Sequence, residues 1–161
     1  MNTRSILTLS LFLLPLATSA YTGTPVKDLS YLSYQVTQNN GTEKPYENLY
    51  WDTHAAGIYV DIVSGTPLFS SRDKYDSGTG WPTFAKPINK YVLIYTKDLS
   101  WSEERSEVKA KKSRSHLGHL FDDGPKEYNW VRYCMNSAAL RFVPLADMKK
   151  EGYGLYIRFV R

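Results

Sequence analysis

The chain has 161 residues with 20 basic and 16 acidic side chains, a formal net charge of +4, which suits one domain able to bury a core of its own. A single cysteine excludes any intramolecular disulfide. The basic residues are interleaved with acids, and the densest run, Lys109, Lys111, Lys112 and Arg114, follows Glu103, Glu104 and Glu107; this reads as a solvated strand or loop face and argues against a nucleic-acid or lipid patch.

Residues 1–20 read as an export signal: Arg4, an apolar run from Ile6 to Ala17, then Thr18-Ser19-Ala20 before Tyr21. The apolar run is shorter than the ~20 residues of a spanning helix, so cleavage is expected, with a retained anchor as the alternative. A periplasmic or secreted protein follows, with residues 21–161 as its single domain. A short helix is predicted over Lys27–Gln38, stopped by Asn39-Asn40-Gly41. After the polar, aromatic stretch "TEKPYENLYWDTH", the segments "GIYVDIV", "TPLFSS", "KYVLIYTKDL" and "SEVKAKK" are β-branched or aromatic runs of strand length between Gly, Pro, Ser and Asp clusters. A last long β segment, "NWVRYCMNSAALRFVPL", ends at Pro144, and a short helix is expected over Ala146–Glu151. The fold class is therefore mainly β, with antiparallel sheets and short peripheral helices.

The lone cysteine, Cys134, lies in the last β segment. In an extended strand Arg132, Cys134 and Asn136 share one face. A cation on that face stabilises a thiolate and is expected to bring the thiol below its ordinary value, as a nucleophile at neutral pH requires. A bulge that breaks the alternation, leaving a buried inert cysteine, is the competing reading.

"SHLGHLFDDGP" (residues 115–125) carries His116 and His119, which face opposite sides of a plain strand but come together if the chain bends at Gly118. They are loop residues, ligands of a metal together with His54 or Asp123, or acid/base groups for a thiol. "YDSGTGWPTF" (75–84) reads as a turn in which two glycines flank Thr79 and Trp81 is presented. Trp81 is either a core or rim aromatic or a wall for a small apolar group such as a methyl on sulfur.

Together, "GTEKPYENLYWDTHAAGIYVDIVSGTPLFSSRDKYDSGTGWPTF", "SHLGHLFDDGP" and "RYCMNSAALRF" resemble the B-type peptide-methionine (R)-S-oxide reductases over about residues 37–153. The resemblance implies a β-tent of two antiparallel sheets. It implies that Cys134 is the catalytic cysteine, that Trp81 contacts the substrate methyl and that His116 and His119 belong to the active site. It further implies that Asp123, Arg132 and Asn136 orient water or substrate or tune the cysteine. At the positions of the four zinc-binding cysteines of many members stand Asp61, Ser64, Ala110 and Ser113, so no zinc is expected. At the position of the usual resolving cysteine stands Thr79.

The chemistry expected from the resemblance is thiolate attack on a sulfoxide sulfur while the oxygen is protonated, with His119 the first candidate donor and His116, Asp123 and Asn136 ordering the water around it. Cys134 is left as a sulfenic acid, and with no second cysteine it must be reduced by an external thiol, a small molecule or a thioredoxin-like partner. Oxidised exported proteins or peptides are the expected substrate of a monomer that needs no cofactor. A non-catalytic β-tent binding module is the alternative, and no local motif supports a Cys-His hydrolase.

Overall fold

The computed structural model describes residues 21–100 and 104–160. The predicted export signal lies outside the described residues.

Among the described residues, nine strands form two antiparallel sheets. The smaller has the order β2-β1-β9, with β1 Gly57–Asp61, β2 Pro67–Ser70 and β9 Leu140–Pro144. The larger runs β3-β4-β8-β7-β6-β5: β3 Lys74–Tyr75, β4 Thr83–Phe84, β5 Leu93–Asp98, β6 Arg105–Ala110, β7 His116–Phe121 and β8 Arg132–Met135. The expected mainly β architecture of two antiparallel sheets is the observed one.

Aromatic rings fill the space between the sheets. Tyr59 and Phe69, from the small sheet, meet Phe84 and Tyr133 from the large one; Phe69 stacks on Phe84 with ring centroids 4.5 Å apart, and Tyr59 meets Phe84 edge-on at 5.0 Å. Tyr59, Phe69 and Phe84 are fully buried, and burial of such a ring stabilises by roughly 1.5–3 kcal/mol. These contacts occupy one face of the large sheet and leave its other face, that of Thr83, Cys134 and His119, to polar side chains.

The N-terminal helix α1 spans Tyr31–Asn39, not Lys27–Gln38. Ser30 caps it by accepting a hydrogen bond from the Ser33 amide, so the chain before it forms a separate 3₁₀ turn, Val26–Asp28. Its end is as expected: Asn40 adopts the left-handed conformation at φ 55°.

The last β segment is two strands in different sheets. Between β8 and β9 a 3₁₀ turn, Ser137–Ala139, carries the chain from one sheet to the other. The buried carboxylate of Glu43 causes the break: it accepts hydrogen bonds from the amides of Ser137 and of Ala138, the latter at 2.9 Å, and so takes donors that a strand would give to its neighbour. The helix expected over Ala146–Glu151 is a run of turns whose bonds differ in span, Asp147 N to Pro144 O and Tyr153 N to Met148 O, and a 3₁₀ helix follows at Gly154–Phe159. β7 and the short β3–β4 pair were absent from the sequence-based expectation.

Candidate active site

Register places the site. Across the large sheet Thr83 pairs with Cys134, Cys134 with His119, His119 with Glu107 and Glu107 with Thr96. Directly paired residues of antiparallel strands project from the same face, so these five side chains form a row across β4, β8, β7, β6 and β5. Asp98 and Arg105, a second register pair, stand two residues along on the same face.

The two histidines join this face through a bulge. Between Val108 and Lys109 the register slips, so Val108 opposes Gly118 while Lys109 opposes His116. His116 and His119 then lie together, ring centroids 5.3 Å apart and edge to face. The expected bend is at Gly118, whose φ is 152° and where a Cβ would lie 2.2 Å from the Cys134 carbonyl oxygen.

Each imidazole is held by its own carboxylate. His116 Nδ1 lies 2.7 Å from Glu107, which also accepts from Thr96 Oγ1 at 2.8 Å and pairs with Lys109 at 3.2 Å. His119 Nε2 lies 2.8 Å from Asp98, itself bonded by Arg105 at 2.7 Å. Burial, the largest influence on each histidine, pushes both below the ordinary range against the pull of these carboxylates. Hydrogen bonds from Ser100 lead the groups that hold Asp98 far below the usual carboxylate range. Burial alone would raise Glu107, but its bonds to Thr96, His116 and Lys109 outweigh that and keep it low. Both imidazoles are therefore neutral at neutral pH, and His119 donates Nε2–H to Asp98.

The Arg132 charge, first, and the Thr79 side chain favour a thiolate at Cys134. Asp123 holds Arg132 by two parallel bonds, to Nε at 2.6 Å and to the terminal nitrogen at 2.8 Å, and the guanidinium lies 4.1 Å from the Phe121 ring centre. The shared face of Arg132 and Cys134 is as expected, but the expected lowering of the thiol is not. Burial raises it by more than Arg132 and Thr79 lower it, so the resting group is a thiol.

A pocket of about 160 Å³ opens beside this thiol, lined among others by Trp81, His119, Cys134, Asn136 and Thr42. Thr42, at the start of the strap of residues 42–48, lines one side of it. Tyr46 N and Asn48 Nδ2 donate to the Gly80 carbonyl at 2.8 and 2.7 Å, and Trp81 Nε1 donates to Glu43 O at 3.1 Å. At Gly80, φ 84°, a Cβ would come within 2.7 Å of Tyr46, so only glycine lets strap and loop close on each other. The indole is thereby fixed as a wall.

Cys134, His119, Trp81 and Asn136 thus line one pocket, and His116 lies against His119. Asn136 is buried and engaged in structure: its Oδ1 accepts from Glu43 N at 3.0 Å and its Nδ2 donates to Leu117 O at 3.2 Å. Asp123 serves Arg132 and not the imidazoles. His54 is exposed and pairs with Asp52 at 3.0 Å, so neither third ligand considered for a histidine metal site joins the two histidines. Glu107, Asp98, Arg105 and Glu43 went unnoticed in the sequence. Glu107 in particular belongs to the charged run read as solvated; Lys111, Lys112 and Arg114 are exposed, but Glu107 is buried.

The side chains that stand where many members of that family carry zinc-binding cysteines bond within their own turns. Asp61 is fully buried and its carboxylate accepts bonds from the amides of Val63 and Ser64 and from Ser64 Oγ. Ala110 offers no ligand atom, and Ser113 Oγ accepts from Ser115 N at 3.1 Å. These bonds close each turn on itself.

A family model, the SelR domain, matches residues 29–144, a stretch that contains both sheets, Trp81, the two histidines and Cys134. The SelR family comprises oxidoreductases that act on methionine sulfoxide. The chain belongs to this family, the peptide-methionine (R)-S-oxide reductases.

Proposed function

We propose that the protein reduces methionine (R)-S-oxide by attack of Cys134 Sγ on the sulfoxide sulfur, and that its substrates are oxidised exported proteins met in the periplasm or outside the cell. The observation that carries this reading is the meeting of the Cys134 thiol, the Trp81 indole and the His119 imidazole in one small pocket. The indole offers an apolar wall to the sulfoxide methyl. The neutral His119, steadied by Asp98, accepts the thiol proton and returns it to the sulfoxide oxygen as the S–S contact forms.

Collapse leaves methionine and Cys134 sulfenic acid, so the sulfoxide is reduced by two electrons and the cysteine oxidised by two. Arg132 and Thr79 favour the thiolate as it develops, against a burial that keeps the resting thiol protonated. Two molecules of an external thiol, or one dithiol such as a thioredoxin-like protein, then restore the enzyme through a mixed disulfide. The protein works as a monomer and without zinc; Asp61, Ser64, Ala110 and Ser113 contain no thiolate.

The test is a single turnover of reduced enzyme without reductant, run separately on (R)- and (S)-methionine sulfoxide. About one methionine per chain is expected from the (R) epimer only, together with a dimedone-reactive Cys134, and none from Cys134→Ser. A Cys134 that remains a thiol after incubation with the (R) epimer defeats the mechanism.

A further inference from the structure

Among the described residues that line the pocket of Cys134 and Trp81, Arg105 is the one lysine or arginine. With Thr42 and His119 it also lines a polar space of about 380 Å³ on the Asp98 side, so its half-buried guanidinium stands at the boundary between the two. Its place is set by the sheet. Arg105 pairs with Asp98 across β5 and β6, and its terminal nitrogen donates to that carboxylate at 2.7 Å. The same carboxylate oxygen accepts from His119 at 2.8 Å.

A bound sulfoxide brings to this pocket an oxygen with partial negative charge. That oxygen has to exchange its water for a protein donor, because a buried acceptor without one is costly. Few donors are at hand. The Trp81 indole N–H is given to Glu43 O at 3.1 Å, and the Asn136 amide nitrogen to Leu117 O at 3.2 Å. His119 gives Nε2–H to Asp98, so its other ring nitrogen is an acceptor and holds no proton until Cys134 yields one. The Thr42 hydroxyl is uncharged and belongs to an exposed residue. A guanidinium carries five N–H groups in a planar fork and can serve a carboxylate and a second acceptor together.

We infer that Arg105 is a substrate-binding residue, whose guanidinium, steadied by Asp98, donates a hydrogen bond to the sulfoxide oxygen. The inference rests on the proposed reduction at Cys134, whose pocket Arg105 shares. The contact strengthens as sulfur attacks sulfur, because the oxygen gains negative charge in that step. Burial first, and then the Arg105 charge, oppose a proton on His119. The imidazolium formed in the reaction therefore passes to the oxygen the proton that it took from Cys134. The thioether product has no such oxygen, loses this hydrogen bond and is released.

The test separates direct contact from support given through Asp98. In the full chain carrying Cys134→Ser, which binds without turning over, calorimetry measures the affinity for N-acetylmethionine (R)-sulfoxide methylamide and for the matching thioether. Adding Arg105→Met is expected to weaken sulfoxide binding about tenfold, the worth of one charge-assisted hydrogen bond, and thioether binding less than about twofold. Arg105→Lys, which keeps the charge without the fork, should weaken sulfoxide binding less and again spare the thioether; it decides the matter alone if Arg105→Met does not fold. The same loss is expected when His119 is already replaced by alanine, because a direct contact does not act through the imidazole. Equal weakening of sulfoxide and thioether, unchanged sulfoxide binding, or a loss that disappears in the His119→Ala chain overturns the inference. Failure of the chain with Cys134 and Arg105 intact to release methionine defeats instead the reaction on which it rests.

Discussion

Thr83 stands opposite Cys134 across β4 and β8, and its hydroxyl is tied through Ser77 Oγ, at 2.9 Å, to the Thr79 hydroxyl, 2.8 Å further on. Position 79 thus lies beside the nucleophile's row, where a cysteine has a partner thiol to reach. Thr79→Cys is therefore expected to convert the sulfenic acid into an intramolecular disulfide within the first turnover. Dimedone labelling should vanish and the thiol count should fall by two. Labelling at the wild-type level after turnover would show that the loop holds position 79 out of reach.

Gly118 lies where β7 bends under β8. Its added Cβ would meet the Cys134 carbonyl oxygen at 2.2 Å and Met135 Cα at 2.9 Å, both backbone atoms that cannot swing aside. Gly118→Ala should lower unfolding stability by about 2–4 kcal/mol and lower activity through a displaced Cys134. Urea unfolding with a stability loss below about 0.5 kcal/mol would mean that the two strands part easily here.

The folded chain holds His116 below its ordinary 6.5, chiefly by burial. The unfolded chain therefore takes up a proton that the folded chain refuses as pH falls below about 6.5, and stability is lost in that window; above it the contribution is fully present. Urea midpoints should thus decline more steeply from pH 7 to pH 5 in the wild type than in His116→Gln. Equal slopes would show that His116 titrates alike in both states.

Metal analysis of the purified protein should find no stoichiometric zinc, and a chelator should leave its melting temperature unchanged. The buried Asp61 already accepts three hydrogen bonds from Val63 and Ser64, so its turn is closed without an ion. One zinc per chain would refute this account of the four positions.

What could be read in the sequence was local. The β texture of "GIYVDIV" and the left-handed stop at Asn40 follow from residue type, and the bend at Gly118 follows from a glycine between two histidines. The non-local facts stayed hidden. Nothing along the chain says that β8 pairs with β7 in the register that sets Cys134 against His119. A bulge one residue away would have broken the row. Charge was the most misleading signal: Glu107 reads as one of three solvated acids, yet cross-strand pairing with Thr96 and His119 turns it inward. Cys134 shows the same limit in energy, because Arg132 is visible in the sequence while the burial that outweighs its charge is not.

The Glu43 carboxylate on the Ser137 and Ala138 amides joins residues far apart in the chain at a single point. It latches the chain where the nucleophile's strand leaves for the second sheet, next to Thr42 in the pocket lining, and lies outside the sheet ladders. Burial, foremost, makes this carboxyl protonate more readily than an ordinary glutamate, and the neutral acid holds amide donors less strongly. Acid is therefore expected to act first at this crossing between the two sheets, and only later on the ladders within them.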